Sequence, residues 1–478
     1  METFESENLL SDEKRSYQVV GQNTPNKYWI GLIIILLSNI SLSIVSVSIW
    51  PYLHYNNLSI YVFAISISGF HTGASIGRKF FSYYIEKTQS YWLLLFTSLA
   101  VTFIGDILYA AIPDSTFVLI SRAIVGFGTG SQVILQSLLT DSSDPILLKT
   151  RISKVSLATS FGYIIGPAII AIISSINLTT ALNIKDGLLV LVWLSAFLTF
   201  LAMVIAIIGK FTDNSISRHY QSNLGTSGEI DEGSYQVYNK NIFRAPKACC
   251  IIPPKVLVVI FGFTHFLIFN AGMVLETLII PFLTDVGGVS SYNWNLTKIS
   301  LFFMGLGVSC AITLFVSKKI TDQSLLLIGS VMLMVVGYGF MIVWSLPDSK
   351  IVTNVENLDP PLVRFLLGVV SVAIGFPLAV TSSITLFFQL FSGQSSSFYS
   401  TFFQFASNFG RLLGPVWAAL IFSYVNSNFT FLFAFILCLV SLFFLIITKK
   451  SIRYINTTTS PKKNPIISIN DEDDNNQF

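Results

Sequence analysis

Twelve apolar runs, most of them twenty or more residues long, leave this chain few ways to fold. They lie at about 28–50, 60–82, 91–112, 117–139, 153–175 and 187–209, then at about 256–283, 297–316, 324–346, 362–390, 398–423 and 429–448. A helical run of that length matches the hydrocarbon layer, and in lipid each segment must pair its own backbone polar groups. Only 11% of the 478 residues are charged, against about 25% in soluble domains. The expectation is an all-α membrane protein with twelve transmembrane helices, embedded in a lipid bilayer.

The polar segments set the domain plan. Residues 1–27 read as an N-terminal tail, 28–209 as a first six-helix bundle, 210–255 as a linker rich in Ser, Gly and Asn, 256–448 as a second bundle and 449–478 as a C-terminal tail. Of 28 Lys and Arg, 22 fall on the side of the termini, five on the opposite side, and Arg411 falls within a run. That asymmetry places both termini in the cytosol. The sequons at Asn57, Asn177, Asn295 and Asn428 then face away from the cytosol, as glycosylation requires. In the first tail, Glu5-Ser6-Glu7-Asn8-Leu9-Leu10 has the form of an acidic dileucine signal, in which Glu5, Leu9 and Leu10 would be read by sorting adaptors. The tail contains no apolar stretch of the secretory-signal kind, so the first run is expected to direct insertion.

The two bundles repeat one another. Gly162-x-x-x-Gly166-Pro167 recurs as Gly410-x-x-x-Gly414-Pro415, an offset of 410 − 162 = 248. Arg122 opening the fourth run matches Arg364 opening the tenth, and Pro51 ending the first matches Pro281 ending the seventh. Glycines four apart make a smooth stripe that admits a neighbouring helix, and the proline bends the helix that bears it. Three pairs, each linking helix n with helix n+6, predict two pseudo-symmetric six-helix bundles enclosing a site near the midplane. One mismatch breaks the symmetry: Arg411 stands where the first copy has Tyr163.

With these motifs the chain resembles the major facilitator superfamily over residues 28–448. Arg122-x-x-x-Gly126-x-Gly128 is similar to the family's fourth-helix motif and Gly162-x-x-x-Gly166-Pro167 to its fifth-helix one. The stretches Ser43–Leu53, Glu276–Pro281 and Gly410–Pro415 resemble a lysosomal branch of that family. The resemblance implies a multi-pass endolysosomal membrane protein of transporter fold, for which solute transport and chloride conductance both come into question. It does not extend to the charged loop motif between helices two and three, where Lys79–Tyr84 carries no glycine or acid.

Several polar residues inside the runs are candidates for function. Glu276 is a lone carboxylate within the seventh helix: either it is bonded locally, or it serves coupling or solute binding. His265 lies eleven residues earlier on nearly the same face, where it serves either a proton route or core packing. Gln404, Asn408 and Arg411 form a polar stripe at i, i+4 and i+7. Arg411 is a counter-ion for Glu276, a structural ion-pair member, or an attractor for an anionic solute or chloride. Asp106 and Arg122 lie at similar depth and suggest a structural or gating salt bridge. Asn39, Ser43 and Ser46, with Gln132 and Gln136, suit cavity lining or bonding to neighbouring helices.

The sequence gives no catalytic or metal-binding pattern and no phosphate-binding Gly-Lys-Ser/Thr loop, so neither an enzyme nor a cofactor is expected. The small net charge of +3 gives no case for a nucleic-acid partner. The expected activity is alternating-access movement of a small-molecule or anionic solute coupled to protons or another ion. The alternative is a chloride-selective channel on the same fold.

Overall fold

The computed structural model describes residues 25–459 except 89, 113, 141–144, 177–183, 224–253, 285–291, 318–319, 321, 345–359 and 392–395. The signal at Glu5, Leu9 and Leu10, the Asn177 sequon and the Gln136 side chain lie outside the described residues. The first half comprises α1 (Pro25–Tyr55), α2 (Ile60–Thr88), α3 (Tyr91–Ala111), α4 (Ser115–Gly128), α5 (Ser131–Thr140), α6 (Pro145–Ser175) and α7 (Ile184–Asn223). The second comprises α8 (Pro254–Leu283), α9 (Leu296–Ser317), α10 (Gln323–Met341), α11 (Leu362–Phe391), α12 (Ser396–Tyr424) and α13 (Ser427–Thr459). Twelve spans are long and apolar enough to cross a membrane, and no strand occurs among the described residues.

The fourth run is one span made of two helices. It breaks at Thr129-Gly130, where the Thr129 hydroxyl donates to the Gly126 carbonyl at 2.6 Å. Helix α7 continues to Asn223 and α13 to Thr459, so helix extends into the segments expected to be linker and tail.

The doubled glycine element explains how each half packs. A Cβ on Gly162 or Gly166 of α6 would collide with Asn39 or Ser43 of α1. A Cβ on Gly410 of α12 would lie 2.7 Å from the Phe266 carbonyl oxygen of α8, and one on Gly414 2.8 Å from that of Asn270. Thus α6 lies against α1 as α12 lies against α8, the relation the offset predicts. Glycines also bring α10 and α11 together, since Gly337 and Gly368 each face the other's carbonyl.

The halves meet toward the end opposite the termini. The Trp50 indole of α1 donates to the Thr284 hydroxyl just beyond α8 at 3.1 Å, and the Ser174 and Thr297 hydroxyls of α6 and α9 are 2.8 Å apart. Tyr61 of α2 packs on Tyr424 of α12, and deeper in the bundle the Ser68 hydroxyl donates to the Leu412 carbonyl at 2.9 Å. The halves are thus bonded to one another toward the far face, and α9 stays packed on α6 as deep as Gly307, where a Cβ would come within 3.2 Å of the Tyr163 carbonyl oxygen.

Candidate functional site

A histidine–glutamate contact joins the halves within the membrane-spanning region. His71 Nε2 of α2 lies 3.6 Å from Glu276 Oε2 of α8, the only such pair among the described residues. Glu276 has 42% of its side chain exposed even though its span is among the best buried in the molecule. An exposed carboxylate at that depth marks open space between the bundles, because lipid would not solvate it. Arg411 and Arg122 both act on its charge.

Arg411 is not the direct counter-ion. Its guanidinium lies 4.2 Å over the Phe269 ring, and its buried Nε has no hydrogen-bond acceptor. Gln404 is exposed and Asn408 half-buried on the same stripe of α12. Tyr163, the residue opposite Arg411 in the repeat, is 45% exposed and shares a field with Glu276, Arg411 and Arg78. The two mismatched positions of the repeat thus face one cleft.

Other candidates lie elsewhere. His265 is buried in the second half, with Nδ1 2.6 Å from the Ser383 hydroxyl and its ring stacked 3.9 Å from Phe403. It does not join Glu276 in a shared pair, and its surroundings are those of a packing residue. Asn39 is buried against the α6 glycines; its amide donates to the Ile35 carbonyl at 2.7 Å, and Gln132 reaches its oxygen at 3.4 Å. Ser43 is likewise covered by Gly166. At Asn39 and Ser43 the polar face of α1 therefore lies in the interior of the first half, under the glycine stripe of α6, which is the helix-contact reading rather than the cavity one. Gln132 instead borders a separate water-sized void of about 10 Å³ with Ser38, Thr102, Thr129 and Thr199.

The expected Asp106–Arg122 salt bridge is not formed. The Asp106 carboxylate accepts from the Thr199 hydroxyl at 2.9 Å, within a chain of hydroxyls that includes Ser41 and Ser195. Arg122 turns to the Phe70 ring at 4.7 Å and keeps Nε and Nη1 without acceptors. Both groups still interact through space, and Arg122 also interacts with Glu276.

His71 and Arg78 carry no role in the sequence-based expectations. The signal was a polar stripe, Ser68, His71, Ser75 and Arg78, at i, i+3, i+7 and i+10 of the second run. Arg78, counted above with the terminal-side charges, lies well within α2. Among the sequons, Asn57 is an exposed turn residue with φ 55°, and Asn295 accepts from the Lys298 backbone amide. Asn428 makes a two-point contact with the Val343 backbone, at 2.8 and 3.3 Å. That contact ties up the amide a glycan would need.

A sequence model for the Major Facilitator Superfamily matches residues 31–407. Major facilitator superfamily domain-containing protein 8 of Xenopus laevis is 21% identical over 451 residues, covering 83% of this chain and 85% of that protein. Among solved structures, the nucleoside transporter NupG is 11% identical with TM-score 0.61, covering 89% of this chain and 100% of its own. A bacterial homolog of the human lysosomal transporter Spinster, in an inward-facing and unoccupied conformation, is 14% identical with TM-score 0.56, covering 91% and 98%. At these identities the two structures show a common fold.

Proposed function

The chain belongs to the Major Facilitator Superfamily, and from that premise we propose that it is a transporter that moves a small solute by alternating access, coupled to protons through Glu276 and His71. The observation that carries the reading is the His71–Glu276 pair, which joins α2 of the first half to α8 of the second and leaves the carboxylate 42% exposed. A carboxylate and an imidazole are both side chains that can take up and release a proton. Taking up a proton at Glu276 removes the negative member of the pair. The contact that ties α2 to α8 weakens, and the far face is free to part while the terminal ends approach. The face with the termini is the cytosolic one in this reading, which agrees with the 22 Lys and Arg on that side.

The test is uptake by liposomes containing only the purified protein. A screen of solutes under an imposed pH gradient is expected to find one that accumulates saturably and follows the gradient. Uptake indifferent to the gradient for every transported solute would refute the coupling. The contacts that close the far face favour this carrier over the alternative, a chloride-selective channel; single-channel steps lost in Arg411→Ala would favour the channel.

The lysosomal or endosomal membrane is the location supported by the dileucine sequence and by the resemblance of Ser43–Leu53 and Glu276–Pro281. Adaptor recognition would read Glu5, Leu9 and Leu10. Replacing Leu9 and Leu10 together by alanine is expected to move the protein to the cell surface, as seen by surface biotinylation. Unchanged intracellular residence would remove that signal from the account. Of the sequons, Asn57 and Asn295 are the accessible ones among the described residues; a glycosidase mobility shift that survives loss of both asparagines and of Asn177 would exclude them as the carriers.

A further inference from the structure

The cleft carries more positive charge than its own carboxylate can balance. Glu276 is engaged by His71, while Arg78 and Arg411, one from each half, lie within electrostatic range of one another. Arg78 follows His71 by seven residues, two turns of α2, and so lies on the same face nearer the terminal end. Arg411 adjoins Leu412, whose carbonyl accepts the Ser68 hydroxyl from α2, so both arginines flank the line along which α2 meets α12. Among the described residues no carboxylate oxygen lies within 4.0 Å of either guanidinium. Arg411 has only the Phe269 ring beneath it, and its Nε is buried without an acceptor. The partly exposed Tyr163 hydroxyl shares the field of both arginines. A planar guanidinium offers paired N–H donors that match a carboxylate or phosphate, and desolvated donors without acceptors are unfavourable.

We propose that Arg78 and Arg411 clamp the anionic group of the solute, a carboxylate or phosphate, between the two halves. This rests on the transporter reading and names the class of solute. It also supplies the closing force. Two cations on opposite halves repel and favour the open cleft; an anion between them turns the repulsion into a bridge and draws the terminal ends of α2 and α12 together. Tyr163 is the neutral third donor, and that explains why the symmetric position needs no second arginine on α6.

The experiment is calorimetric titration of the purified full chain with four probes: inorganic phosphate, benzoate, benzylammonium and benzyl alcohol. At least one of the two anions is expected to bind saturably, and the cationic and neutral probes are not. Arg78→Gln and Arg411→Gln should each weaken that binding by about tenfold or more, the loss expected for a charge-assisted contact. Arg78→Lys and Arg411→Lys should retain part of it, which separates loss of charge from loss of fold if a Gln variant aggregates. No saturable binding of either anion, equal binding of benzylammonium, or unchanged affinity in both Gln variants would overturn the proposal. Gradient-driven uptake of a cationic or neutral solute, untouched by both Gln variants, would also overturn it while leaving the transporter reading in place.

Discussion

Glu276→Gln is expected to reduce gradient-driven uptake by about tenfold or more, equivalent to about 1.4 kcal/mol in the driven step, while exchange at equal pH continues. Glutamine has nearly the shape of glutamate and can still sit against His71, but it cannot carry a proton through the cycle. The protein should remain folded, because Glu276 is 42% exposed and a partly solvated pair contributes only about 1 kcal/mol or less. His71→Ala should act differently. It leaves the carboxylate without its partner, so it is expected to shift the pH at which uptake is half-maximal rather than abolish the response. Gradient-driven accumulation by Glu276→Gln at the wild-type rate would remove Glu276 from the coupling machinery.

Gly414→Val is the second variant from which a large effect is expected, this time on stability. The first carbon of any side chain at Gly414 would lie 2.8 Å from both the Asn270 carbonyl oxygen and Met273 Cβ of α8. Neither the backbone oxygen nor Met273 Cβ can move without moving α8, so the helices must separate. Overpacking of this kind costs about 1–3 kcal/mol, and valine's branched carbon puts it at the upper end. Gly329→Val is the control, since nothing lies within 4 Å of a Cβ there. Thermal unfolding in detergent should show a lower Tm for Gly414→Val and little change for Gly329→Val. Equal Tm values would mean that α8 and α12 do not pack through this stripe.

How much of this was legible in the sequence differs between fold and site. Helix number and the doubling of the bundle follow from run length and from three matched pairs, because hydrocarbon thickness and close glycine packing act locally on each helix. The glycine offset even anticipates that α6 and α12 play equivalent parts. The site is less legible because it is formed across the halves. Periodicity shows that Glu276 and the Gln404–Arg411 stripe share the helix faces they do, yet it does not say which distant helix meets them. Glu276 therefore finds His71, 205 residues earlier (276 − 71), rather than Arg411. The polar face of α1 left two readings open, cavity lining or bonding to neighbouring helices, and the same glycines that mark the repeat place α6 over Asn39 and Ser43. Asp106 and Arg122 lie at matching depths, and depth alone does not make a pair when Thr199 and Phe70 offer nearer partners.

The central claim is that the cleft opens to one face at a time, with the His71–Glu276 pair tied to the closed far face. It is tested most directly by reciprocal thiol labelling in oriented vesicles. One cysteine replaces Gln404, exposed on the terminal-side stripe, and another replaces Thr297, which is bonded to Ser174 at the closed far end. Each is tested alone with a membrane-impermeant maleimide applied from its own side, across a range of pH. Near neutral pH the position 404 thiol should react and the position 297 thiol should be protected. As acid protonates Glu276 and the pair is lost, the position 404 reaction should slow while the position 297 reaction accelerates, with a common midpoint that disappears in Glu276→Gln. Both positions reacting together at every pH, or neither responding to pH, would contradict alternating access governed by this pair.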